Sequence, residues 1–352
     1  MNLDSKNNLK DGLSGIIRAK NEARFIDACI DSCIDALDEL IIVYNDCTDN
    51  TPEIVKRKHQ QYPDKIKVFA YDNQILSHNL TEEEFEYAKH LPEDSSRLHS
   101  SQCNFALSKA TYKYAVKIDP DQLYFADELK KWRDVCYKKN SFKWKLTFIF
   151  GWLFMVYFSF YRRISVKWGN PCLWMIPDWL VSLFFSSYLN YAKWRLAKGT
   201  ATISLSGFNV FKDDRWYIPF DGINIHPPYN GEGDTLIFQI SNNTYFSKYI
   251  NTLSRTITEK FNNPYKVMYA GPVWFHLHAN REYCWKKVKK VKDVHPDWFV
   301  PVEDFPSMSY KKVLSKMNSN SHTLYQRILF ALIHKIGKDG NLIPQYIHLL
   351  MR

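Results

Sequence analysis

Between Glu39 and Tyr44 the chain reads Glu-Leu-Ile-Ile-Val-Tyr, an aliphatic run without polar alternation. Successive side chains of a strand point to opposite faces, so a run of this kind needs apolar cover on both sides. The segments around it supply that cover. Leu13 to Ile17 is β-prone, and a helix is expected over roughly Ala23 to Leu37, where Phe25, Ile26, Cys29, Ile30, Cys33, Ile34 and Leu37 mark one face at three-to-four spacing. Thr51-Pro52-Glu53 starts a second helix with a capping hydroxyl, a first-turn proline and an early acid. Lys65 to Tyr71 reads as a third strand, and helical residues from Ser95 to Ala110 follow. Strand, helix, strand, helix, strand is a βαβ series, which implies a mostly parallel sheet with right-handed crossovers.

Ala115 to Ile118 is the next strand, and a proline-containing break after it carries Asp119 and Asp121. That places both acids at a strand's C-terminal edge, where open α/β sheets bind ligands. In extended chain, Asp-x-Asp aims both carboxylates the same way. Oxygen donors of this kind suit Mg²⁺ or Mn²⁺, with substrate phosphates completing the shell. The plainer reading is a solvated turn in which Pro120 sets φ.

At 352 residues the chain has room for one large domain or two ordinary ones. Its net charge of +10 suggests an anionic partner such as a phosphorylated ligand, an acidic membrane surface or nucleic acid. Seven dispersed cysteines without a CxxC pair fit a reducing compartment. The polar start, Met1 to Gly12, has no signal-peptide pattern, so a cytoplasmic location is expected.

Three motifs in order carry a resemblance: Gly15-Ile16-Ile17-Arg18-Ala19-Lys20-Asn21-Glu22; Asp38 to Val43 with Thr48 to Val55; and Lys117-Ile118-Asp119-Pro120-Asp121. Together they resemble the family 2 glycosyltransferases of the GT-A fold over about the first 125 residues, and more patchily beyond. The resemblance implies that Ala19, Asn21, Glu22, Asn45 and Asp49 line the nucleoside pocket, joined at the donor by Lys117 and Asp119. It also implies that Asp119 and Asp121 hold Mn²⁺ or Mg²⁺, Asp121 more directly. Members usually carry two acids after the second strand, whereas this chain has Tyr44-Asn45; an asparagine can still pair with a base edge through its amide.

In the second half, Ala201 to Leu205 resumes as a strand, and Gly207 after it is either a close backbone approach to a ligand or a turn. Tyr229 to Phe238 is expected to be a glycine-rich loop leading into a helix, with Glu232 and Asp234 in the loop. The resemblance implies a general base here; Asp234 is the first choice, Glu232 the reserve, and a helix N-cap the plainer reading of Asp234. His276 and His278 alternate in a strand-like segment. A late histidine on the metal or diphosphate is common in the GT-A fold, which points to His276 first.

The excess of aromatic residues, 16% overall, is concentrated between Phe142 and Trp194. Leu146 to Phe160 is flanked by Lys143, Lys145, Arg162 and Arg163, and is short of the roughly 20 residues that span a bilayer. With Leu173 to Tyr191 it is expected to lie in a membrane interface; a buried hairpin or dimer surface is the alternative, and a two-pass membrane hairpin the third reading. Lys286, Lys287, Lys289, Lys290 and Lys292 form a basic run, either a solvated face or a seat for anionic headgroups. Tyr325 to Ile336 has amphipathic helical spacing.

The expected architecture is a mixed, mostly parallel GT-A α/β sheet flanked by helices. Residues 1–140 form the donor half, 141–197 an aromatic membrane-facing insertion, 198–285 the acceptor half and 286–352 a basic helical extension. The expected activity is metal-dependent, inverting hexosyl transfer from a UDP-sugar to a saccharide or lipid-linked acceptor for surface polysaccharide or lipopolysaccharide, at the inner face of the cell membrane. A nucleotidyltransferase is the runner-up, but no glycine-rich, lysine-bearing phosphate loop follows the first strand. A non-catalytic basic membrane-surface protein is the third reading. Nucleic acid is not expected as a partner, because the aromatics sit in apolar blocks rather than among lysines and arginines.

Overall fold

The Glu39–Tyr44 run is buried on both faces, as its composition requires. The computed structural model describes residues 9–138, 143–156, 178–220, 228–317, 334 and 338–351. Its first elements are β1 (Lys10–Ala19), α1 (Ile26–Cys33), β2 (Glu39–Tyr44), α2 (Thr51–Gln61), β3 (Ile66–Ala70), α3 (Glu82–Lys89) and α4 (His99–Ser108). Next come β4 (Tyr112–Ile118), β5 (Gln122–Tyr124), α5 (Ala126–Cys136), a helical stretch α6 at residues 148–156 and α7 (Asp178–Ala197). Strands β6 (Ala201–Asn209), β7 (Phe211–Lys212), β8 (Trp216–Pro219), β9 (Tyr229–Gln239), β10 (Tyr245–Asn251), β11 (Thr256–Asn262) and β12 (Lys266–His276) follow. Helix α8 (Glu282–Val294), β13 (Phe299–Pro301), α9 (Tyr310–Lys316) and α10 (Lys338–Tyr346) complete the described chain.

The large sheet has the order β3-β2-β1-β4-β9-β6-β12-β5. Pairs β3–β2, β2–β1, β1–β4 and β6–β12 are parallel, while β9 runs antiparallel to both its neighbours and β5 antiparallel to β12. Alternation divides β2 between two cores. Leu40 and Ile42 join the cluster under α1 and α5, whereas Ile41 and Val43 join Cys103, Ala106 and Leu107 of α4. Glu39, at the start of β2, is also buried. Its carboxylate accepts from the Ser14 hydroxyl at 2.7 Å, the Thr111 N–H at 2.6 Å and Lys67 at 2.6 Å. Burial alone would raise its pKa, but Lys67 and these hydrogen bonds outweigh burial and lower it.

Two features depart from the sequence expectation, the β9 segment and Gly207, and two elements, the β10–β11 hairpin and α3, lie where the sequence named none. The segment with Glu232 and Asp234 is not a loop before a helix; its backbone is strand β9, held between β4 and β6. The β10–β11 hairpin packs on α4 and lacks a clear alternating pattern, and α3 is a capping-box helix in which Thr81 and Glu84 cap each other. Gly207 is neither a turn nor an open approach to ligand. It lies within β6, and a Cβ built there would fall 2.1 Å from the Trp274 indole.

In the aromatic middle, Phe148, Phe154, Phe185, Tyr188 and Tyr191 are buried against the main core, and Gly151 lets α6 lie on the Ser187 backbone. The opposite face exposes Trp144, Leu146, Ile149, Phe150, Trp152, Leu153 and Leu183. Among the described residues no helix is long and apolar enough to cross a membrane. Residues 157–177, and the Tyr325–Ile336 segment apart from His334, lie outside the described residues.

Candidate active site

Strand β4 ends at Ile118, Asp119 to Asp121 turn, and the short β5 pairs with the end of β12 so that His276 faces Gln122. The Leu277 N–H donates to the Asp121 carbonyl at 2.7 Å, tying the two segments together. The result brings the Asp121 carboxylate to 3.5 Å from His276 Nε2 and 3.4 Å from His278 Nδ1. Asp121 is 3% exposed. Burial would raise its pKa, yet His276, hydrogen bonds from both imidazoles and Arg281 outweigh burial and hold the group well below the usual carboxylate range.

Arg281, just past His278, completes the group. Its Nε and Nη2 lie 2.9 Å from Asp121 Oδ2, and Nη2 also lies 2.9 Å from both oxygens of Glu22. Burial raises the Glu22 pKa to about 7, against the lowering effect of Arg281. The loops that resemblance assigned to the nucleoside are laced to each other. Asp49 accepts from the Ala23 N–H at 3.0 Å, Thr51 Oγ1 from the Glu22 N–H at 2.7 Å, and Asn21 Oδ1 from the Thr48 N–H at 2.7 Å. Asn21 takes φ of 56°, a left-handed conformation that asparagine tolerates. Ala19 ends β1 and its carbonyl accepts from the Asn45 N–H. Asn45 is buried, its Oδ1 accepting from Gln102 Nε2 at 2.8 Å, and its Nδ2 has no partner among the described residues.

Asp119 and Asp121 part company, because the chain turns between them instead of staying extended. Asp119 Oδ1 lies 3.8 Å from Lys117 and 3.9 Å from Arg18. Both cations also reach Glu259 of β11, at 3.1 Å and 3.2 Å, and His99 contacts the same carboxylate at 2.8 Å. Arg18 thus stands among His99, Cys103 and Glu259, where a cation would otherwise sit. Burial raises the Cys103 thiol to about 12, keeping it protonated. The side chains of Glu232 and Asp234 lie outside the described residues. Their neighbour Thr235 is placed: its hydroxyl lies 3.5 Å from Gln122 Oε1, beside Asp121.

Arg281, His99, Arg18, Gln102 and Glu259 escaped the sequence reading. Arg281 stands three residues after His278, a spacing open to inspection, but nothing in it distinguishes this arginine from its neighbours. Glu259 is brought in by a hairpin from over 240 residues beyond Arg18.

Residues 2–145, the stretch from β1 to α5, match the model of the family described as beta-1,4-N-acetylgalactosaminyltransferase (CgtA). That match likens this stretch, less than half of the 352-residue chain, to a glycosyltransferase family. No curated protein matches it. Among solved structures, glucosyl-3-phosphoglycerate synthase from Mycobacterium tuberculosis is similar, in complexes with Mn²⁺, UDP and glucosyl-3-phosphoglycerate and with Mn²⁺, UDP-glucose and phosphoglyceric acid. Each is 19% identical, with coverage of 34% of this chain and 36% of that chain and a TM-score of 0.22. The chain therefore spans only about a third of the length of those chains.

Asp121, His276 and His278 form a group that could hold a divalent cation. One carboxylate and two imidazoles place their ligand atoms within 4.8 Å of one another. His276 Nδ1 lies 2.8 Å from Asn209 Oδ1, so the Nδ1–H donates to the amide oxygen and Nε2 is left on the Asp121 side. Two nitrogens in the set suit Mn²⁺ better than Mg²⁺, which favours all-oxygen shells.

Proposed function

We propose that this protein is a glycosyltransferase of GT-A architecture that moves a hexose from a UDP-sugar to a saccharide or glycolipid hydroxyl, inverting the anomeric centre, with Mn²⁺ or Mg²⁺ bound. N-acetylgalactosamine is the first candidate sugar, from the name of the matched family. The observation that carries the reading is the convergence of Asp121, His276, His278, Arg281 and Glu22 where β1, β4 and β12 end. Asp121, His276 and His278 would hold the cation, which supplies positive charge against the departing diphosphate. Asp119 and Lys117 lie one turn away, at the donor, and Asn45 offers its Nδ2–H to a base carbonyl.

Asp234 is proposed as the base, with Glu232 in reserve. The Thr235 contact to Gln122 supports a position near the reacting centre. The carboxylate takes the acceptor proton as the hydroxyl oxygen bonds to the anomeric carbon; the bond from that carbon to the diphosphate oxygen breaks, and UDP leaves. Residues 1–140 would serve the donor and 198–285 the acceptor.

The same proposal places the protein peripherally on the cytoplasmic face of the membrane, in assembly of capsule or lipopolysaccharide. Support comes from the apolar outer face of the 143–156 segment and α7 beside Lys143 and Lys145. In α8, Lys289 and Lys292 are engaged with Asp213, leaving the exposed Lys286, Lys287 and Lys290 to meet anionic headgroups.

Turnover of UDP-N-acetylgalactosamine, UDP-N-acetylglucosamine, UDP-galactose and UDP-glucose, with and without Mn²⁺, tests the reading in wild type and Asp121→Asn. One donor consumed only with metal and only by wild type is expected. Equal turnover by Asp121→Asn, or no binding of any UDP-sugar, overturns it.

A further inference from the structure

A cleft of about 1,070 Å³ opens on the α1 side of the metal-ligand group, between the starts of α1 and α2, the β7–β8 corner and the Leu349–Leu350 segment. Phe25 joins it to the metal-ligand group: the ring lines the cleft, and the Arg281 guanidinium that holds Asp121 lies 5.5 Å from the ring centroid. Leu277 and Asn280, flanking His278, line the same space. Its volume is at the upper end of the roughly 300–1,000 Å³ typical of small-molecule sites.

The cleft's charge differs from that of the whole chain. Although the protein carries +10, Arg24, Arg57 and Lys212 of the lining are matched by Asp27, Asp31 and Glu53, with Lys58 behind them at 3.1 Å from Asp27 and 2.6 Å from Asp31. Asp27 is paired with Arg57 at 2.8 Å. A polyanion gains nothing from such a lining, whereas a ligand with many hydroxyls finds donors and acceptors interleaved. An aromatic platform is also present. Trp216 is half-buried; its Nε1–H donates to the Leu350 carbonyl at 2.7 Å, which sets the orientation of the indole, and Lys212 Nζ lies over the ring 5.6 Å from its centroid, so a sugar stacked there displaces or shares the face with that side chain.

We propose that this cleft is the acceptor subsite, taking a neutral hexose-based oligosaccharide with the apolar face of one ring laid on Trp216. The assignment rests on the glycosyl-transfer reading above. It adds where the acceptor lies, its charge and the side chain that holds it, and it revises the division given above, since the starts of α1 and α2 in the 1–140 half line the cleft together with Trp216 of the 198–285 half.

Saturation-transfer-difference NMR on the full chain tests this, with UDP and diamagnetic Mg²⁺ present and lactose, cellobiose and diacetylchitobiose as probes. Wild type should give signals from UDP and from at least one disaccharide. In Trp216→Leu the disaccharide signal should fall at least fivefold, and in Trp216→Phe, which keeps a ring, it should be largely retained; the UDP signal in the same tube reports that each variant is folded. UDP bound with no disaccharide signal, or a disaccharide signal unchanged in Trp216→Leu, overturns the cleft assignment alone. A disaccharide signal that depends on Trp216 without any UDP signal supports the cleft and sinks the glycosyl-transfer reading. Absence of both signals overturns both.

Discussion

Arg281 and Glu22, 259 residues apart in the chain, are joined by a forked contact in which one guanidinium nitrogen lies 2.9 Å from each carboxylate oxygen. The same guanidinium holds Asp121, so one cation links the loop after β1 to the candidate metal ligand. Arg281→Ala leaves two largely buried carboxylates facing each other. Breaking a buried pair costs roughly 3–5 kcal/mol, and with Arg281 18% exposed about 2–4 kcal/mol is expected here. Mn²⁺ would replace part of the lost charge, so 1 mM Mn²⁺ should raise the melting temperature of the variant more than that of wild type. Equal metal shifts in both proteins would show that the arginine and the cation do not share Asp121.

Asn209 holds the His276 ring by its Nδ1 side. Replacing it with Leu keeps similar bulk and removes the acceptor, freeing the ring to rotate or change tautomer. Loss of such a support typically weakens metal binding by about 10–100-fold. Mn²⁺ titration followed by electron paramagnetic resonance of the free ion should show that loss in Asn209→Leu. Unchanged affinity would remove His276 from the ligand set.

The contrast between Asp121 and Asp119 shows what a sequence discloses and what it withholds. Strands β1 to β4 and their helices were legible because burial on two faces and three-to-four spacing are local properties, and β2 is found at its expected bounds, Glu39–Tyr44. Both acids were legible as a pair at a strand edge. Which of them meets histidines is decided by the β5–β12 pairing, about 150 residues away in the chain, and no local pattern encodes it. Likewise β9 reads as a loop because its glycines and acids have low strand propensity, and the sheet positions on either side override that preference.

Gly207 gives a direct test of the β6–β12 packing. Its absent side chain is the space that Trp274 occupies, with the indole fixed by a 2.9 Å bond from Nε1 to Asn230 Oδ1. Gly207→Ala forces a fully buried indole to move, and overpacking of this kind costs about 1–3 kcal/mol. A lower urea midpoint with unchanged slope is expected. A variant as stable as wild type would mean that the Trp274 ring has room to shift.

The His99–Glu259 pair predicts an acid-side loss of stability in two stages. Burial, then Arg18, depresses the folded His99 pKa to about 4, while the unfolded value is about 6.5. Between these values the unfolded chain binds the extra proton, so stability is fully present above pH 6.5 and falls as pH drops toward 4. With the ring 19% exposed, the contribution is on the order of 2–3 kcal/mol. Glu259 acts lower down. Burial would raise its pKa, but Arg18, His99 and Lys117 outweigh burial and hold it well below the usual range, so its contribution is lost only as pH falls below the unfolded value of about 4.3. His99→Gln, which cannot titrate, should flatten the stability profile between pH 6.5 and 4.5 and leave the steeper loss below that. Urea midpoints at half-unit steps of pH measure both stages; parallel profiles for wild type and variant over the upper window would show that His99 is not held neutral by this cluster.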